Sequence, residues 1–167
     1  WCRAHLAFRG GDWAETGKHL GAFLEIQPES LQARRFWAWA AIYDKDFVTA
    51  MRLRNELITF MSELGGDADD DRWGLLVAAS AAQDWKTVRQ TSIELGFDVE
   101  PGEDILEDPG QRVRVRYDED DNAADCVAVR TGPVTARILT VATPEEMQRA
   151  KDWVVFEPTA LEQEPED

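Results

Sequence analysis

Cysteine, histidine and long apolar runs are what this sequence has least of, and each shortage removes a class of protein. Cys2 and Cys126 are the only cysteines, too few for the disulfide framework of a small secreted scaffold. Both are expected as buried free thiols in a reducing cytoplasm. His5 and His19 are the only histidines, and neither sits in a recognisable motif. The Gly-x-Ser-x-Gly elbow, His-Glu-x-x-His, the phosphate-cradling glycine loop and the dinucleotide fingerprint are all missing, so no enzyme activity and no cofactor are expected. No apolar run reaches the length of about 18 residues needed to span a bilayer. The chain opens Trp1-Cys2-Arg3 without an initiator Met or signal-peptide architecture, which reads as the later part of a longer or processed protein.

Positive charge is also in short supply, with 18 Lys+Arg against 33 Asp+Glu and a net charge of −15. Residues 1 to 98 hold 11 basic against 15 acidic residues, and residues 99 to 167 hold 7 against 18, so the acidity is concentrated in the C-terminal part. That sign repels phosphate backbones and argues against nucleic-acid binding. Two acidic runs have the opening spacing of a calcium loop: Asp67, Asp69, Asp71 and Asp118, Asp120, Asn122. Both lack the turn glycine, with Arg72 and Ala123 in its place, and the closing Glu, with Ala78 and Val129 there. They are expected to be solvated turns, and no metal is expected. A carboxylate pair such as Glu145 with Asp152 is readily explained by chance in so acidic a chain.

What is present is apolar material in periodic order: 44% hydrophobic residues and seven tryptophans, enough core for a folded chain. An Asp-aromatic pair opens a helical pattern three times, at Asp12-Trp13, Asp46-Phe47 and Asp84-Trp85. The aspartates are 34 and 38 residues apart. Aspartate suits the position before a helix because its carboxylate accepts a bond from an otherwise unpaired first-turn N–H, worth about 1 kcal/mol. Helical patterns are read over 13–26 (stopped by Pro28), 31–43, 47–64 (closed by Gly65-Gly66), about 72–82, and 85–95 (ended by Gly96), with an amphipathic segment before Gly10.

The segment from Gly11-Asp12-Trp13 through Pro28 resembles the second helix of a tetratricopeptide repeat. Ala4, Ala38 and Ala50 stand where that family keeps small residues for close helix packing, and the resemblance covers residues 1 to about 96. Departures are Thr16 and Val88 for the usual Ala, Leu76 at the third unit's small position, and extra residues near Gly66 to Asp69. The resemblance implies a concave surface lined by the first helix of each pair, with Trp1, His5, Arg35, Trp39, Tyr43, Trp73 and Val77 projecting into it. The apolar stretch Phe36 to Tyr43 is equally compatible with a helix sandwiched by its neighbours. The family's carboxylate clamp is not carried over, since only Arg35 is evident.

Residues 97–111 hold two Pro-Gly pairs and acidic residues, the chemistry of a linker. The period then changes to two: Arg112–Tyr117 alternates, followed by apolar runs at 126–130, 134–141 and 153–156. The expected architecture is α+β: a tetratricopeptide-like array over 1–96, a linker over 97–111, a small antiparallel sheet or SH3-like barrel over 112–157, and an acidic tail over 158–167. Thr143-Pro144-Glu145-Glu146 suits one helical turn.

The expected function is that of a cytoplasmic adaptor or scaffold, of bacterial composition, binding a protein or peptide in the helical groove. Two alternatives stand beside it. In one the acidic β domain inhibits a basic partner or mimics nucleic acid; in the other an enzyme site lies in the crevice between domains.

Overall fold

The structure is a computed structural model that describes residues 1–108, 110–117, 124–140 and 150–158. The chain divides into two compact units, Trp1–Asp104 and Ile105–Asp167.

The first unit is six helices, each packed on the next in chain order: α1 (Cys2–Arg9), α2 (Trp13–Ile26), α3 (Leu31–Tyr43), α4 (Phe47–Glu63), α5 (Asp69–Ala82) and α6 (Trp85–Glu94). One turn is built three times, after α1, α3 and α5. Asp12, Asp46 and Asp84 accept from the N–H of Glu15, Thr49 and Thr87 at 3.0, 3.1 and 3.2 Å. Each of these aspartates donates its own N–H to an alanine carbonyl five residues back, at Ala7, Ala41 and Ala79, at 2.9 Å every time. The residue in front of each is left-handed: Gly11 at φ 74°, Lys45 at 59° and Gln83 at 59°. The last carbonyls of one helix and the first N–H groups of the next are thus satisfied within a single tight turn.

Small residues set how closely the helices approach. Ala4, Ala38 and Ala50 are fully buried. Gly17 and Gly21, four residues apart on α2, form the floor beneath the Trp37 indole of α3, where a Cβ on Gly17 would lie 2.7 Å from Trp37 Nε1. Ala4, Leu20 and Ala33 join α1, α2 and α3 in one core cluster, with Phe23, Leu24, Phe36 and Trp37 around it. Cys2, expected buried, is exposed. It lies at the first position of α1, and Ala4 is the residue of that helix that buries completely.

The acidic run before the third pair also differs from its expectation as a solvated turn. The helix begins at Asp69 instead of near Arg72, because Asp67 accepts from the Asp69 N–H at 2.8 Å. Asp69, Asp70 and Asp71 then occupy the first turn, where the helix dipole favours negative charge. After α6, Phe97 packs edge-on to Trp73, and Arg89 donates to the carbonyls of Glu100 and Asp104 at 2.7 and 2.9 Å. Residues 97–104 are therefore held on the helical unit.

Among its described residues the second unit is a four-stranded antiparallel meander of β1 (Arg112–Tyr117), β2 (Ala124–Gly132), β3 (Thr135–Ile138) and β4 (Trp153–Val155), in that order. The first and last strands do not pair, so the sheet is open and the barrel alternative is set aside. The third strand is shorter than the apolar run 134–141, since Val134 belongs to the turn after Gly132. Its inner face packs Val115, Cys126, Ala128, Ala136 and Ile138, with Val113, Val154 and Phe156 at the margin. The expected turn at 143–146, the second acidic run at Asp118, Asp120 and Asn122, Glu145, and residues 159–167 lie outside the described residues.

Candidate interaction face

Helical spacing places Trp1, His5 and Phe8 along one side of α1, and Phe36, Trp39 and Tyr43 along one side of α3. Their rings meet across the two helices. His5 lies over Phe36 at 4.7 Å between centroids, Trp1 is 5.9 Å from Phe36, and Phe8 is 5.0 Å from Phe36 and 6.0 Å from Tyr43. Trp13, the first residue of α2, stacks on Tyr43 at 4.9 Å, and Trp39 meets Tyr43 edge-on at 6.4 Å. Trp1 remains 38% exposed, Trp39 45% and Tyr43 52%. An unbroken set of aromatic rings is therefore partly anchored by its own members and partly open to solvent, which gives large contact surfaces with little side-chain freedom left to lose.

Four of the expected residues, Trp1, His5, Trp39 and Tyr43, thus fall in one connected set. The other three do not. Arg35 is committed to the fold: its Nε donates to Asp71 at 3.1 and 3.2 Å and its Nη2 at 2.7 Å, while Arg54 Nη1 on α4 donates to the same carboxylate at 2.9 Å. Asp71 is completely buried, so two guanidinium groups from α3 and α4 converge on one buried carboxylate at the start of α5. The hydrogen bonds to Asp71, together with its negative charge, raise the Arg35 pKa against the opposing effect of burial. Gly74 makes room for this bridge, because a Cβ there would lie 2.5 Å from the Arg54 guanidinium carbon. Trp73 is half-buried against Phe97, and Val77 is half-buried on α5.

Phe8, Trp13, Phe23 and Phe36, none of them an expected site residue, belong to the same set. Trp13 stacks on Tyr43, and Phe23 lies 5.5 Å from Trp1. The available signal was an aromatic at the first position of α2, immediately after a capping Asp.

In the first acidic run, Asp71 accepts from two arginines, Arg35 and Arg54. Among the described residues, no group of three or more His, Cys, Asp or Glu side chains is placed to hold a metal ion. No helix of the described residues is long and apolar enough to cross a membrane. A cavity of about 480 Å³ lies against α4, lined by Arg52, Asn55, Glu56, Thr59, Phe60 and Glu63, and contains none of the expected site residues. No family model, curated protein or solved structure matches the chain.

Proposed function

We infer that the helical unit is a non-enzymatic interaction module of the tetratricopeptide type, an adaptor that holds a protein or peptide partner against the aromatic face of α1 and α3. The observation that carries this reading is the partial exposure of Trp1, Trp39 and Tyr43 within one ring-to-ring network. Exposed apolar area joined in this way supports a contact surface better than scattered single residues do. The contact is assigned to aromatic side chains and not to Arg35, whose Nε and Nη2 are bonded to Asp71.

The double variant Trp39→Ala/Tyr43→Ala tests it. Affinity capture with the wild-type chain is expected to retain a partner that the double variant loses, with the far-ultraviolet circular dichroism of the two proteins superimposable. Equal capture by both proteins removes this face from the function.

A further inference from the structure

The sheet carries a second surface whose chemistry is opposite in sign to the chain as a whole. In the second unit the described residues include Arg112, Arg114, Arg116, Arg130, Arg137 and Lys151 against Glu107, Asp108, Asp125, Asp152 and Glu157. These described residues are together close to neutral, while the strands alone hold Arg112, Arg114, Arg116, Arg130 and Arg137 against Asp125, and positive charge gathers on β1.

Alternation sends Val113 and Val115 to the inner face and Arg112, Arg114 and Arg116 to the outer one. Opposite them on β2 stand Val129, Val127 and Asp125. Asp125 pairs with Arg116 at 2.8 Å and lies 3.8 Å from Arg114. Arg114 is 71% exposed, and Arg112 has no ion pair among the described residues. Val127, also exposed, extends an apolar strip beside the arginines.

Among the described residues, no strand pairs with the backbone at this edge either. Val127, which faces Arg114, directs its N–H to Thr140 Oγ1 and its carbonyl to the Leu139 N–H, both on the β3 side. In an antiparallel ladder the bonding direction alternates along a strand. Arg112 and Arg114 therefore point their own N–H and C=O groups away from β2, toward the outer edge of β1, where no strand pairs among the described residues. Side-chain cations and unpaired backbone groups thus repeat together every second residue.

We propose that the outer edge of β1 accepts an extended peptide segment of another protein as a fifth strand, one that carries carboxylates at alternate positions. Backbone bonds to Arg112 and Arg114 hold the strand, and its carboxylates on the outer face meet the two guanidinium groups. Charge complementarity selects this partner. A second copy of β1 is rejected because its arginines would face these. The chain's net charge of −15 does not prevent the encounter, since at physiological ionic strength charges beyond about 8 Å are largely screened and the local arginines dominate.

The test uses the full chain and two labelled synthetic heptapeptides, one alternating Glu with Val and one alternating Lys with Val. Fluorescence anisotropy is expected to show binding of the Glu peptide alone, weakening as salt rises. The Arg112→Glu/Arg114→Glu variant should lose about tenfold or more in affinity for the Glu peptide and gain affinity for the Lys peptide. Amide exchange at Arg112 and Arg114 should slow when the Glu peptide is added. Binding of neither peptide would mean that the arginines only guard the edge against self-pairing, and the proposal fails. It fails equally if the Glu peptide binds only after residues 159–167 are removed, since the chain's own acidic end would then be the occupant, or if binding leaves exchange at the two arginines unchanged.

Discussion

Asp71 in the helical unit and Asp125 in the sheet each accept hydrogen bonds from arginine side chains, yet the first carboxylate is completely buried and the second is about a third exposed. The difference sets what each pair does. Asp71 joins α3, α4 and α5, and removing it leaves the largely buried Arg54 guanidinium without its partner, the situation in which a charge is most costly. Asp125 links two adjacent strands at the surface, where water competes for both groups. Arginine and aspartate are thus structural material in one unit and surface chemistry in the other.

The comparison is broken most directly at the buried carboxylate. Asp71→Ala is expected to destabilise the helical unit by about 3–5 kcal/mol, as for a buried pair losing one member, read as a drop in the midpoint of urea unfolding. A loss comparable to that of a surface pair would show the bridge to be dispensable. Next comes the space that admits it. Gly74→Ala forces a methyl onto the Arg54 guanidinium and is expected to lower stability by about 1–2 kcal/mol despite the better helix propensity of alanine. The repeated turn sharpens the comparison at a smaller scale. Asp84→Ala should remove about 1 kcal/mol through loss of the cap. Gln83→Gly or Lys45→Gly should add about 0.5 kcal/mol, since the left-handed backbone there suits glycine better.

The smallest effect is expected in the sheet. Hydrogen bonds from Arg137 and Arg116 hold Glu107 and Asp125 below their ordinary values of 4.5 and 3.8. A depressed carboxylate stabilises fully above its unfolded value and loses that contribution as pH falls through its folded value. Acidification through and below the ordinary carboxylate range should therefore loosen the sheet's surface pairs, seen as faster amide exchange near Asp125. No change, or slower exchange, would contradict the assignment. Arg35 is displaced in the other direction, upward, chiefly by its hydrogen bonds to Asp71, so its contribution is already complete throughout this range.

What the sequence disclosed follows the same division between local and distant causes. The aspartate turns were legible because a cap and its recipient lie three residues apart, and small residues at Ala4, Ala38 and Ala50 declared close packing in advance. The role of Asp71 was not legible, since its partners are 36 and 17 residues away and an acidic run reads as loop when viewed alone. For the same reason Arg35 looked available to a partner. The left-handed residues at Lys45 and Gln83 carry no glycine signal, and only the recurrence of the aspartate that follows marks them. Strand alternation placed four strands in the second unit, but it carries no information on whether the first and last strands pair, so an open sheet and a barrel read alike.

The assignment of recognition to α1 and α3 is tested most directly by following the indole N–H resonances of the chain while a captured partner is titrated in. Trp1 and Trp39 should shift, whereas Trp37, packed against Gly17 and Gly21, should stay in place. A shift confined to Trp37, or to residues of α4 around Phe60, would place the contact on a different face and contradict the reading.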